Sequence, residues 1–317
     1  MRLLTLAARC AVALSLTLCW SAVPARAQDS TRTQPVTQKS KTDWGAVDKA
    51  LGRAGTMQPG DVQKYSFPRS DLQVTLGGVS IKPALALGSW VAFKRTGGTS
   101  DQAIAMGDLV LLESEVMPVV TALQATGVEV TALHNHLQHE SPSVMYLHIS
   151  AQGDPVKIAQ AVHAALTLTK TPTAPPKGGS VPGSFGLDTA RLGSILGHSG
   201  KVNGGVYQVS APRSEPVRMA GVDIPPSMGV ATALNFQPTG GGKAAITGDF
   251  VLTADEVNPV IKALRDGGIA VTALHSHMLG EDPRLFFMHF WADDDATKLA
   301  QALKTALGYM KVRTSGP

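Results

Sequence analysis

The chain repeats itself, and that constrains its fold more than any other feature. "GDLVLLESEVMPVVTAL" from Gly107 matches "GDFVLTADEVNPVIKAL" from Gly248. The match runs on into "VTALHNHLQHESPSVMYLHISAQGD" from Val130 and "VTALHSHMLGEDPRLFFMHFWADDD" from Val271. His134, His136, Glu140 and His148 recur as His275, His277, Glu281 and His289, each 141 residues on. Upstream, "FPRSD" from Phe67 matches "APRSE" from Ala211, and Gly78-Val79 matches Gly221-Val222. Self-similarity at a fixed offset signals a repeated architecture. The expected domains are repeat 1 over 42–170 and repeat 2 over 187–313, with a tail over 314–317. Thr171 to Gly186 is rich in Pro, Gly and Ser and reads as a linker.

Each repeat has the same coarse pattern. A short helix comes first, Trp44 to Gly52 and again Thr189 to Gly197. Short strands follow around Tyr65–Phe67, Val74–Ile81 and Ser89–Phe93, then a strand Asp108–Leu112. A helix is expected from Glu115 to Ala125, where Val116, Val119, Val120 and Leu123 recur at helical spacing. Ser114 and Asp255 occupy the expected N-caps, and Pro118 and Pro259 the first turn. Gly127 and Gly267-Gly268 stop the helix. Strands Val128–Leu137 and Val144–Ser150 come next, then a helix from Asp154 to Leu168. The expected class is α+β: in each unit, short strands and then a β-α-β-β-α layer of ferredoxin-like kind.

The first 27 residues are a different object. Arg2 and Arg9 precede the apolar run Cys10 to Ala22, and Ala25-Arg26-Ala27 supplies an A-x-A site. This reads as a secretory signal peptide cleaved before Gln28. Residues 28–41 are polar and free of aromatics, a disordered lead-in. Both cysteines, Cys10 and Cys19, fall within the signal, so the mature chain is expected to have no disulfide and no cysteine ligand. Arg9 and Leu18 precede them where a lipidated cysteine needs a small residue, so no lipid anchor is expected. Of 28 basic residues three lie in the signal, leaving 25 against 24 acidic. That balance, with no basic patch interleaved with aromatics, argues against nucleic acid as a partner. No later stretch is long and apolar enough for a transmembrane helix. The expected location is therefore periplasmic or secreted.

The histidines carry the chemistry. Seven of the nine lie in the two matched stretches. Strand residues i and i+2 share a face, so His134 and His136 point the same way. A hairpin turning around His139 to Ser143 sets His134 opposite His148, and His136 opposite Tyr146. That register gathers His134, His136 and His148 on one face, and His275, His277 and His289 in the second unit. Three neutral imidazoles on a rigid hairpin suit a divalent transition metal, zinc foremost, with copper, iron or manganese as alternatives. Glu140 and Glu281, at the turns, complete the shell or serve as catalytic proton carriers beside an open position. A hydrogen-bonded polar network is the competing reading of the same residues.

Other residues have plainer readings. His139 has no counterpart, since Gly280 stands in its place; His163 and His198 read as helix or loop residues. Glu115 and Glu256 open a helix and suit its dipole. Arg69 and Arg213, in Pro-Arg-Ser-Asp/Glu, suit a salt bridge or an anion. Asp108 and Asp249 follow a glycine at a strand start, where turn chemistry is the default. "TGGGKAA" near Gly240 lacks phosphate-loop spacing and reads as a turn.

His-x-His-x-x-x-Glu resembles the first metal motif of the cupins, but an amphipathic helix directly before the histidine strand departs from that family. "GDLVLLESEVMPV", "VTALHNHLQHESP", "GKVNGGVYQVSAPR", "MGVATALNFQPTGGGKAAITGDFVL" and "HMLGEDPRLFFMHFWADDD" more closely resemble the LppY/LpqO family, over nearly the whole mature chain. That family comprises bacterial exported proteins named from mycobacterial lipoproteins and built on a domain of unknown function. The resemblance implies export and weight for the His-x-His, Glu and later His positions; it implies no reaction. The expected function is an exported metal-binding protein with two pseudo-equivalent sites. Its enzymatic form is a metal-dependent hydrolase of an envelope or extracellular substrate. The alternatives are a binding module for a small molecule, sugar or envelope polymer, or a structural envelope protein.

Overall fold

The computed structural model describes residues 43–97, 101–174 and 185–313. The signal peptide, the lead-in, the tail and most of the Pro/Gly/Ser linker lie outside the described residues. Repeat 1 runs α1 (Trp44–Leu51), β1 (Thr56–Gln58), β2 (Val62–Pro68), β3 (Thr75–Leu76), β4 (Val79–Ser80), α2 (Pro83–Ala86), β5 (Gly88–Arg95), β6 (Ala103–Leu112), α3 (Glu113–Ala125), β7 (Glu129–His134), β8 (Val144–Gly153) and α4 (Pro155–Leu166). Repeat 2 runs α5 (Thr189–Leu196), β9 (Gly200–Asn203), β10 (Val206–Pro212), β11 (Val217–Met219), β12 (Val222–Ile224), β13 (Ala231–Gly240), β14 (Lys243–Leu252), α6 (Ala254–Asp266), β15 (Ala270–His275), β16 (Glu281–Asp282), β17 (Phe286–Asp295) and α7 (Ala296–Leu307).

Each repeat builds one six-stranded antiparallel sheet, ordered β1-β2-β5-β6-β8-β7 and β9-β10-β13-β14-β17-β15. The expected β-α-β-β-α order is present in repeat 1; in repeat 2 the two-residue β16 is inserted between the last two strands and pairs with β11 instead. β6 and β14 are buried along most of their length, because each sheet is covered on both sides. On the outer face Leu109 and Leu111 pack with Val119, Leu123 and Val162 of the helices. The opposite face meets the other repeat. Ile104 and Met106 join Met228, Val251 and Phe287 in one core, while Val110 and Tyr146 join Val206 and Ala245 in another. The repeats thus share two cores within one compact unit, and β7 and β15 come together where they meet.

Several local expectations need correction. Val74–Ile81 is a two-stranded ribbon, β3 with β4, and not one strand, because Gly77 and Gly78 turn it at positive φ. Helices α3 and α6 begin at Glu113 and Ala254, earlier than Ser114 and Asp255 allow as caps; the caps are Leu112 and Thr253. Glu115 and Glu256 reach back to the backbone N–H of those residues at 2.8 Å each. Pro118 and Pro259 consequently sit at the sixth helical position, past the first turn. The histidine strand ends at His134, short of Leu137, and its register is two residues from the expected one. His134 pairs with Tyr146 and Ala132 with His148, after a bulge between Val130 and Ala132. A shift of two keeps every side chain on its face, so His134 and His148 still share one.

Candidate metal centre

Two cross-strand rows place the central groups. Asp108 pairs with His148 across β6 and β8, and Asp249 pairs with His289 across β14 and β17. Directly opposed residues project to one side, so each aspartate stands beside a histidine on the face turned to the other repeat. Asp108 and Asp249 are thus mid-strand residues, and the turn reading fails for both. His134 and His275 end their strands, and His136 and His277 lie just beyond, in loops.

All six histidines meet in one place. His134 stacks on His275 with ring centroids 3.4 Å apart. On one side Tyr146, His136 and His289 form a stack at 3.3 and 3.7 Å. On the other Phe287, His277 and His148 do the same at 3.5 and 3.8 Å. Each imidazole contact closer than 4 Å between centroids crosses between repeats. Two threonines tie the loops in place: Thr131 Oγ1 donates to the His277 carbonyl at 2.5 Å, and Thr272 Oγ1 to the His136 carbonyl at 2.6 Å.

The ring nitrogens define the chemistry. His289 Nδ1 lies 2.8 Å from the Gly248 carbonyl, and His134 Nδ1 3.0 Å from the Asn135 carbonyl. His148 is bonded in the same way to the Gly107 backbone. A carbonyl only accepts, so these nitrogens carry the proton, and a neutral ring then leaves Nε2 bare. Bare Nε2 atoms face each other at 2.8 Å between His134 and His148, and at 2.9 Å between His275 and His289. His136 Nε2, His277 Nε2, Asp108 Oδ1 and Asp249 Oδ1 are buried without a hydrogen-bond partner. The nearest pairings, His136 to Asp108 at 3.7 Å and His277 to Asp249 at 3.4 Å, do not satisfy them.

Burial holds the whole group uncharged. It pushes the His134 imidazole down to about 4, and the His275 imidazole, helped by the nearby His134, down to about 3. His136, His148, His277 and His289 are pushed well below the usual histidine range by burial and by one another. Asp108 is pushed up to about 8 by burial, against the pull of Lys64. Asp249 is pushed well above the carboxylate range by burial and by Asp108. Four groupings bring ligand atoms within 4.8 Å of one another: His134/His148/His275/His277, Asp249/His275/His277/His289, His134/His136/His289 and Asp108/His136/His148. His/Asp clusters in this structure could therefore hold a metal ion. The histidine triple of repeat 2 closes together with Asp249, whereas that of repeat 1 is divided among three groupings.

Residues 45–168 and 190–309 each match the family described as Domain of Unknown Function (DUF1259), under the name DUF1529. The chain belongs to the DUF1529 family. It carries the domain twice. No curated protein matches it. Among solved structures, a trimeric bacterial microcompartment shell protein, PduB, is 14% identical, with 83% of this chain and 97% of that one covered and a TM-score of 0.23. EtuB from Clostridium kluyveri is 12% identical, with 80% and 90% covered and a TM-score of 0.19. Both likenesses are weak.

The remaining residues of the DUF1529 repeats fall outside the centre. Glu140 accepts from Val144 N at 3.2 Å and Ser143 Oγ at 3.4 Å; Glu281 accepts from Leu285 N at 3.0 Å and Arg284 at 3.3 Å. Both shape the loop after the histidines, where Ser141-Pro142 and Asp282-Pro283 are cis, and neither belongs to the four groupings. The carboxylates beside the histidines are Asp108 and Asp249. Sequence reasoning missed them, although Gly-Asp recurs at the same offset as the histidines. Arg69 and Glu115 bind each other at 2.7 Å, as Arg213 and Glu256 do at 2.5 Å, buried and away from the histidines. These are salt bridges that lock each sheet to the helix start, and not anion sites.

Proposed function

We propose that the two DUF1529 repeats hold a divalent transition metal at this shared centre. The observation that carries the reading is the pair of facing Nε2 atoms at 2.8 and 2.9 Å, in rings whose Nδ1 atoms turn to backbone carbonyls, Asn135 for His134 at 3.0 Å, Gly248 for His289 at 2.8 Å and, at a longer 3.4 Å, Ser276 for His275. Two lone pairs that close repel unless a cation lies beside them. A proton is a poor candidate, because burial opposes an imidazolium there. A metal ion fits: ligands at about 2.0–2.1 Å in a tetrahedral shell sit roughly 3.3 Å apart, a few tenths more than the observed spacing. The Gly107 and Gly248 carbonyls supply the outer bonds that orient metal-binding imidazoles. An imidazole-rich shell with carboxylates suits zinc first, with copper, iron and manganese as alternatives.

Several finer readings belong with this one. The β-α-β-β-α layer, with β8 between β6 and β7, supports a ferredoxin-like core. The residue stretches quoted above support kinship with the LppY/LpqO proteins, and the leader supports export to the periplasm or beyond. An open depression beside His134, lined also by Asn135, Gln138, His139, Glu140 and Thr272, supports access for a small polar ligand.

Metal content of the full chain, expressed with export and purified without chelator or histidine tag, tests the proposal. A transition metal in about stoichiometric amount, lost from H134A/H275A, supports it. Absence of metal above background, even after reconstitution with zinc, copper and manganese, overturns it in favour of a hydrogen-bonded histidine network.

A further inference from the structure

The centre is built twice over, and its duplication is not explained by one ion. Facing Nε2 atoms occur at two places, His134 with His148 and His275 with His289. Among the described residues no grouping of ligand atoms contains both facing pairs. A single cation therefore leaves one pair of lone pairs in conflict. The partnerless buried atoms also come as two sets, His136 Nε2 with Asp108 Oδ1 and His277 Nε2 with Asp249 Oδ1.

Ligand number points the same way. Six imidazoles and two carboxylates converge here, twice the four ligands of a tetrahedral zinc shell. The groupings that hold the two facing pairs overlap at His275 and His277, so the two positions are neighbours. The His134/His148 position draws on both repeats, being grouped with His275 and His277, whereas the grouping that holds His275 and His289, with His277 and Asp249, lies within repeat 2.

We infer that the centre is dinuclear: two divalent cations, one at the His134–His148 nitrogens and one at the His275–His289 nitrogens, the first drawing ligands from both repeats. This rests on the metal-binding reading above. Paired ions in proteins stand roughly 3.5–4 Å apart, close enough for their electron spins to interact.

Copper(II) titration of the metal-free full chain tests the inference, with calorimetry for stoichiometry and electron paramagnetic resonance for distance. Two equivalents and a half-field transition growing in with the second are expected. His277→Ala should cut the stoichiometry to one and abolish the half-field line, because His277 is grouped with both facing pairs. One equivalent in the wild-type chain overturns the dinuclear centre and leaves the metal reading intact. Two equivalents without spin coupling overturn it also, since the ions are then far apart. An intact half-field line in folded His277→Ala, checked by circular dichroism, overturns the placing of His277 between the two ions. No binding at all overturns the metal reading itself.

Discussion

His134 of the first repeat lies flat against His275 of the second, ring centroids 3.4 Å apart. Equivalent residues of two repeats meet in this way when the halves face each other about an approximate twofold relation. The other rings obey the same relation: His136 packs on His289 as His277 packs on His148. What repeats in sequence as two sites is therefore one site in space.

The aspartates and the glutamates should separate cleanly. Asp249→Asn keeps the shape of the side chain but removes the carboxyl group that can ionise when a cation binds beside it. Metal affinity should fall by about 10–100-fold, the usual effect of disturbing a metal's immediate surroundings. Glu281→Gln should leave metal content unchanged. It weakens a charge-assisted bond to Leu285 N, so melting by calorimetry should show a loss of about 1–2 kcal/mol. Loss of metal from Glu281→Gln with retention in Asp249→Asn would reverse these assignments.

Thr131 and Thr272 carry no metal chemistry, yet each holds the loop that presents a histidine from the other repeat. Thr131→Val removes a donor and leaves the His277 carbonyl without that bond. About 1–2 kcal/mol of stability should go with it. Because the bond crosses between repeats, Thr131→Val and Thr272→Val should each weaken metal binding, measured by competition with a chromogenic chelator.

Much of this architecture is legible in the sequence. The short helices α1 and α5, the helix before the histidine strand and the strand that starts at Val144 all follow from local pattern. The gathering of the histidines follows from strand alternation, which survives a register shift of two. What is not legible is long-range. Asp108 and His148 are neighbours only because β8 inserts between β6 and β7, and no local signal announces that. The merging of two sites depends on how the repeats pack, through Ile104 and Met106 against Met228 and Phe287. Duplication shows that a unit is repeated; it does not show which faces meet.

Gly248 should be irreplaceable. A Cβ there would lie 1.8 Å from the Ala233 carbonyl oxygen, which is backbone and cannot swing aside. Its own carbonyl holds the His289 ring. Gly248→Ala should therefore cost about 3 kcal/mol or more through forced backbone shifts, and misplace His289. Denaturant unfolding and metal content should both show the loss. Unchanged values would mean that β13 and β14 are not so closely apposed.

The buried Arg213–Glu256 pair should make the fold acid-sensitive. Burial alone would push the Glu256 carboxyl up, but Arg213 and the Thr253 and Lys311 N–H groups outweigh it and hold the carboxyl below its usual value of 4.5. A carboxyl depressed in the folded state adds stability that is present above the unfolded value and is lost as pH falls through the folded one. Chemical-denaturation midpoints should thus fall as the pH drops below about 4.5. In Glu256→Gln this contribution disappears. That variant should also be about 3–5 kcal/mol less stable at neutral pH, because Arg213, 2% exposed, keeps its charge without its partner. A variant as stable as wild type at neutral pH would mean that Glu215 alone neutralises the arginine, since it too contacts Arg213, at 3.3 Å.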